Sequence, residues 1–305
     1  MSVPEEPLVS PLVSPVVSIV TPCLNAGRYL ETTIQSVLAQ DYPHIEYLVM
    51  DGGSTDSSLD ILKRYEGRLA WVSAKDRGTA DAINKGFERT KGALFTYVNA
   101  DDLLLPGAVS TAVNALQASP DVEGVYGNAW WIDEAGARIA PYPVHDFDPK
   151  RLESECFICQ PASFVRREAF RNLGGLDPQL SLTFDYEFWM RFSRLYKLLR
   201  IDAPLACSRM HTANKSLGRK KAVFEETFLV LRKHYGYIPF SWVYSYLCFS
   251  ADGRDQFFEP LQPSLPRYAQ SLPRGLALNR GAMGRYFAEW LGVMSWRGLQ
   301  RRLTR

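Results

Sequence analysis

The sequence lacks any apolar run that could cross a bilayer. About 20 consecutive apolar residues are needed, and the nearest candidate, residues 238–251, is shorter and carries Ser and Tyr. A secretory leader is also missing: the first 14 residues are Pro-interrupted and acidic, with no basic stretch ahead of an apolar one. Residues 1–14 are expected to form a flexible tail, and the protein is expected to be cytoplasmic, soluble or peripheral at the inner face of the cytoplasmic membrane. Cysteine is scarce. Five residues, scattered and odd in number, argue for a reducing compartment and against a disulfide framework. Cys156 and Cys159 form a lone CxxC without two further ligands at zinc spacing, so they read as two ordinary thiols. Neither charge sign dominates: 35 Lys and Arg against 33 Asp and Glu leave +2, which excludes the strong field of a nucleic-acid binder. GxGxxG, GxxxxGK[ST] and GxSxG are all absent, so a dinucleotide dehydrogenase, a P-loop enzyme and an α/β-hydrolase each lack their fingerprint.

What is present is a regular alternation. In a chain of 305 residues with 46% hydrophobic content, short runs rich in β-branched and aromatic residues at 16–21, 45–50, 69–73, 94–98 and 122–126 read as strands. Between them lie helical patterns: one capped by Asn25 and running to Gln40, one capped by Ser54 or Asp56, one over residues 81–89, and one with Pro106 in its first turn. Such alternation specifies an α/β protein with a mostly parallel central sheet flanked by helices. Ligands of these sheets bind beyond the carboxyl ends of the strands, here just after Thr21, Met50, Ser73 and Val98. After about Gly127 the alternation is expected to give way to a mix of short strands, loops and a few helices up to about Ser216. A helix is expected over 220–235, then aromatic-rich, Pro-rich and finally basic segments.

Polar clusters stand where those strands end. Asp51-Gly52-Gly53-Ser54-Thr55-Asp56 offers a carboxylate for a base or ribose and two glycines that permit close backbone approach; it could equally be a tight turn with caps. Asp76-Arg77-Gly78, followed by Asp81, Asn84 and Lys85, could hold a nucleotide or its phosphates at a helix start, or simply cap that helix. Asn99-Ala100-Asp101-Asp102 sets two carboxylates side by side. A hard cation such as Mg²⁺ or Mn²⁺ would relieve their repulsion, although Asp102 could instead cap the next helix. Asp185, with Glu187, Trp189 and Arg191, combines acids and aromatics; low-dielectric surroundings would raise a carboxylate pKa toward that of a general base. Acids at a helix start also suit the macrodipole. His211, between Arg209 and Asn214-Lys215, could reach a metal or diphosphate.

Taken in order, these segments resemble the family 2 inverting glycosyltransferases of GT-A fold. The resemblance runs through VSIVTPCLNAGRYLETTIQSVLAQDYPHIEYLVMDGGSTD, DRGTADAINKG, VNADDLLLPGA, QPASFVRREAFRNLGGLDPQLSLTFDYEFWMRF and RMHTANKS, over roughly residues 16–218. It implies that Thr21, Pro22 and Asn25 line a uridine-type nucleotide pocket, that Asp51 binds base or ribose, and that Asp76 and Asn84 contact the donor. Asp101 would be the main metal ligand of a DXD-like motif, Asp102 would touch metal or donor sugar, and His211 would join the metal or pyrophosphate. Asn99 stands where the family usually has the first acid, which lowers the charge of the site. Asp185 would be the catalytic base, with Glu187, Trp189, Arg191 and Gln160 in acceptor or supporting places. The implied division is a nucleotide-sugar lobe at 15–126, an acceptor-binding and catalytic lobe at 127–218 and a helical extension at 219–305. The implied function is transfer of a sugar from a nucleotide-diphosphate sugar to a saccharide or lipid-linked saccharide, in cell-surface polysaccharide or glycan biosynthesis, with Mn²⁺ or Mg²⁺. A catalytically silent nucleotide-sugar-binding protein of the same fold is the alternative. The basic, aromatic segment from Ser271 suits an anionic membrane surface, packing on the body or an oligomer contact.

Overall fold

Most of the apolar runs become sheet strands by burying both faces or alternate side chains. The structure, a computed structural model, describes residues 14–211, 214–253 and 261–293. The expected tail and the last basic residues lie outside that range, apart from Ser14. In β1 (Val17–Cys23) all seven residues are buried, as expected of a central strand in a parallel sheet. Next come α1 (Leu30–Leu38), β2 (Ile45–Asp51), α2 (Ser58–Arg64), β3 (Ala70–Ser73), α3 (Thr79–Arg89) and β4 (Leu94–Tyr97). β1 pairs in parallel with β2 on one side and β4 on the other, and β2 with β3. Short β5 (Leu103–Leu104), α4 (Ala108–Ala118), β6 (Gly124–Ile132), β7 (Arg138–Pro141), β8 (Ser163–Arg166), α5 (Arg167–Asn172), α6 (Phe184–Leu195) and β9 (Leu198–Arg209) follow. The described chain ends in helices: α7 (Lys215–Gly218), α8 (Lys220–Tyr235), α9 (Phe240–Asp252), α10 (Leu265–Leu278) and α11 (Met283–Val293).

The sheet order is β3-β2-β1-β4-β8-β6-β9-β5, with β7 on β6. The expected α/β class holds, with the parallel strands carrying the first half and antiparallel β8 inserted between β4 and β6. Alternating side chains feed two apolar clusters. Val17, Ile19 and Val49 face α1, α2 and α4, whereas Val20, Met50, Phe95 and Tyr97 face α3, α5, α6 and the C-terminal helices. Each fully buried large apolar side chain contributes roughly 1.5–3 kcal/mol, so both faces of the sheet are firmly covered.

Three expectations need correction. Asn25 does not cap α1; Tyr29 precedes that helix without a side-chain bond, and Asn25 sits in a left-handed conformation with φ 50°. Pro106 lies ahead of α4, whose start is set by the left-handed Gly107. The strands after Gly127 are also longer than the short ones expected there. β6 runs on to Ile132 and pairs in parallel with twelve-residue β9, through register shifts at Gly127/Asn128 and Asn128/Ala129.

Candidate active site

Because β2 and β4 flank β1 on opposite sides, the chain reverses direction across the sheet there and leaves a crevice beyond the strand ends. A cavity of about 570 Å³ fills it, bordered by residues 22–26, Asp76, Asn99–Asp102, Gln160, Leu182, Asp185 and His211. Its floor is a braced pair of loops. The amide of Asn25 donates to Ser54 Oγ at 2.7 Å, that of Ala26 to Ser58 Oγ at 3.0 Å and that of Gly27 to Asp56 Oδ2 at 2.8 Å. In return, Asn25 Oδ1 accepts the Thr55 amide at 2.8 Å. Ser54, read as a possible helix cap, thus holds a neighbouring loop, and Asp56 does so with Oδ2 while its Oδ1 accepts the Ser58 amide at the start of α2. Gly52 earns its place by proximity: a Cβ there would come within 2.7 Å of Asp76 Oδ2.

Asp101 and His211 meet across 110 residues of sequence, Oδ2 to Nε2 at 2.9 Å. The imidazole also lies against the Tyr29 ring, with centroids 4.8 Å apart. Asp102 is buried beside them. Its Oδ1 accepts the Arg209 amide at 2.9 Å and its Oδ2 accepts Asn99 Nδ2 at 3.0 Å. Burial, then the charge of Asp101, raises its carboxyl pKa. Asn99 thus orients Asp102, the task its amide suits, and offers its N–H to a carboxylate. Arg209, noted in the sequence only as a neighbour of His211, is the organiser missed there. Its Nε donates to the Asp101 carbonyl at 2.9 Å and its Nη1 to the carbonyls of Asp133 and Glu134 at 3.1 Å, with the guanidinium over the Tyr29 ring. No local pattern announces this, since the carbonyls its guanidinium bonds lie 75 to 108 positions away.

The donor set fits a divalent cation that keeps several outside ligands. Among the described residues no three His, Cys, Asp or Glu side chains gather as ligands. Asp101 and His211 supply one oxygen and one nitrogen, and Mg²⁺-type ions commonly take one or two carboxylates plus substrate phosphates. On the opposite wall, Asp185 opens α6. Its Oδ1 accepts the Tyr186 amide at 2.8 Å, while burial pushes its carboxyl up to about 6. Gln160 is held by Nε2 donating to the Tyr97 carbonyl at 2.7 Å.

Other expected site residues lie behind the cavity. Thr21 is fully buried, its Oγ1 3.1 Å from Tyr47 Oη. Asp51 is buried too; burial opposes its ionisation, but hydrogen bonds from Ser54, Ser73 and Gly53 outweigh it and lower its pKa. Its oxygens brace the Gly53–Ser54 turn. Asn84 bonds both the amide and the carbonyl of Leu176. Glu187 and Arg191 pair one helical turn apart, and Arg191 also donates to the carbonyls of Leu173 and Gly175. Trp189 is buried in the core. These residues carry α6 and its preceding loop and do not line the cavity, because only the first turn of α6 reaches it. Cys156 and Cys159 are free thiols.

The family model for glycosyl transferase family 2 matches residues 18–174. The chain belongs to glycosyl transferase family 2. It is 27% identical over 203 residues to an uncharacterized glycosyltransferase of Rickettsia prowazekii, spanning 64% of either chain. It is 30% identical over 202 residues to the O-antigen biosynthesis protein RfbC of Myxococcus xanthus, covering 64% of this chain and 16% of that one. The chain thus spans less than two thirds of these relatives. Among solved structures, S. aureus TarS 1–349 in complex with UDP superposes with TM-score 0.62 at 15% identity, over 94% of this chain and 87% of that one. The mannosyltransferase PcManGT of Pyrobaculum calidifontis, in complex with GDP-Man and Mn²⁺, gives 0.58 at 18% identity, over 94% and 88%. These likenesses establish the GT-A fold for this family 2 chain.

Proposed function

We propose that this family 2 chain is an inverting glycosyltransferase that moves one sugar from a nucleotide-diphosphate sugar, uridine-linked, to a hydroxyl of a saccharide or lipid-linked saccharide. One observation carries the reading: a raised carboxylate, Asp185, faces the same cavity as the Asp101–His211 pair. Pro22, Asn25 and Asp76 border the nucleotide end. Asp101 and His211 would hold Mn²⁺ or Mg²⁺, and Asp102 keeps that loop in register through Arg209 and Asn99. The bound ion would neutralise charge on the departing diphosphate. Asp185 takes the proton of the acceptor hydroxyl, whose oxygen attacks the anomeric carbon opposite the diphosphate in a single displacement. Thr21, Asp51, Asn84, Glu187, Trp189 and Arg191 act from behind, fixing the walls. The UDP and GDP-Man–Mn²⁺ complexes of the two fold neighbours favour a nucleotide donor with a metal, and the Myxococcus relative's name favours a polysaccharide acceptor.

The test is release of nucleoside diphosphate from a panel of nucleotide sugars plus a saccharide acceptor, with and without EDTA. Asp185→Asn is expected to lower turnover by about 10²–10⁴ while donor binding persists. Equal release by both proteins would remove Asp185 as the base, and no release by the native protein from any donor would leave only a nucleotide-sugar-binding role. The same reading seats the chain on an anionic membrane through its C-terminal helices, where α11 turns Met283, Phe287 and Leu291 to solvent.

A further inference from the structure

We propose that Glu226 of α8 is a positioning residue for the catalytic base, fixing the three residues that lead into α6 and thereby the place of Asp185 in the cavity. This rests on the reading of Asp185 as the base. A helix start leaves backbone N–H groups without intrahelical partners. Thr183, at the N-cap of α6, makes no capping bond with its own side chain. The residues leading into the helix, up to the N-cap itself, are held instead by Glu226, 43 residues beyond Thr183. Its Oε1 accepts the amides of Leu182 and Thr183, both at 2.7 Å, and the Thr183 hydroxyl at 2.9 Å; its Oε2 accepts the Ser181 amide at 3.1 Å. A carboxylate there also suits the positive end of the helix dipole.

The loop so held forms cavity wall. Leu182, Phe184 and Asp185 all border the cavity, so a shift of residues 181–183 moves the base with respect to the Asp101–His211 pair. The earlier part of the same loop has its own ties: Arg191 to the Leu173 and Gly175 carbonyls, Asn84 to Leu176, and Lys233 to Asp177 at 3.1 Å. Glu226 secures the last stretch before α6. Lys233 and Glu226 both lie on α8, as does His234, whose Nε2 is 2.8 Å from Glu187 Oε1. A helix beyond the segment matched by the family model thus grips the loop and the catalytic helix. Burial raises the Asp185 carboxyl, and the Glu226 charge adds to that effect.

The experiment is a double-mutant cycle on the full chain, reading kcat and donor KM separately. Glu226→Ala is expected to lower kcat by about 10²-fold, the scale of a 1 Å misplacement, while donor KM moves less than about threefold. Glu226→Gln keeps an Oε1 acceptor and loses the charge and the Ser181 bond. Its kcat is expected between wild type and Ala, with an unchanged melting temperature. In the Asp185→Asn background, Glu226→Ala should cost little more, because the lost effect ran through the missing base. Losses that multiply in the double variant overturn the proposal. So does an unchanged kcat in Glu226→Ala when Asp185→Asn is nearly inactive. Should Glu226→Ala fail to fold, Glu226→Gln decides: a kcat loss at constant KM supports the role, and no loss rejects it. Near-normal turnover in Asp185→Asn alone rejects the base assignment instead, a result distinct from either.

Discussion

Asp185 sets the pH dependence expected of the enzyme. Burial holds its carboxyl near 6, well above the ordinary value of an aspartate. A general base works only when ionised, so kcat/KM is expected to be flat above that pH and to fall about tenfold per unit below it. An acid limb centred near 4 in the kcat/KM profile would mean that a different, solvated carboxylate takes the proton. The metal pair yields a second expectation. Among the described residues Asp101 and His211 would be the two protein ligands of the proposed site, so a cation would gain its remaining ligands from the donor. Mn²⁺ alone should shift the melting temperature little, UDP alone modestly, and the two together by more than the sum. In Asp101→Asn that excess should vanish; a large shift with Mn²⁺ alone would place the ion at a complete protein site. Asp101, Asp102, Asp185 and His211 were legible as candidates because the strand order and the motifs locate them. Arg209 and Glu226 were not, since each acts through backbone atoms far away in sequence.

At the level of elements, packing between α3 and β1 decides the fate of a small residue. A Cβ on Gly86 would stand 2.5 Å from Val20 Cγ1 and 3.1 Å from Met50 Cγ, so α3 rides closer to the sheet than any other residue there permits. Ala in a helix interior gains about 1 kcal/mol over Gly, yet overpacking costs about 1–3 kcal/mol. Gly86→Ala is therefore expected to lower stability by up to about 2 kcal/mol, read as a lower urea midpoint at unchanged slope. A higher midpoint would mean that Val20 and Met50 yield freely. The first four strands were legible because they are short, apolar and bounded by polar clusters. β9 was not legible because Asp202 and Pro204 interrupt its apolar pattern, and Pro is rare inside a strand. The fold accommodates them at the register shifts opposite Gly127 and Asn128, where Asn128 pairs with Pro204. Asn84 shows the converse. It was expected to contact the donor, but in the middle of α3 its side chain bonds the carbonyl and amide of Leu176, 92 residues away.

Across the whole molecule, the C-terminal helices share one apolar cluster with α3 and α6, so Tyr237, Tyr244 and Tyr286 are buried with Phe170 and Phe188. That explains why one face of α11 is covered. The other face is apolar as well: Met283 is 51% exposed, Phe287 44% and Leu291 45%, with Ala288 and Gly292 between them. No helix among the described residues is long and apolar enough to cross a membrane, so any lipid contact by α11 lies in the plane of the surface. Residues 261–305 carry eight arginines and a single acid, Glu289. Anionic headgroups would complement a segment of that composition. The full chain is therefore expected to sediment with phosphatidylglycerol vesicles and to stay in solution with phosphatidylcholine. Replacing Met283, Phe287 and Leu291 together by Ser should weaken that binding about tenfold or more, each lost apolar side chain removing contact area worth on the order of 1 kcal/mol at partial burial. Activity on a short soluble acceptor should be unchanged, because these side chains touch neither the cavity nor α6. High salt separates the two contributions: the part that remains belongs to the apolar face and the part that disappears to the arginines. Equal vesicle binding by the serine variant would assign the attachment to charge alone, and a change in oligomeric state would assign the face to a second copy.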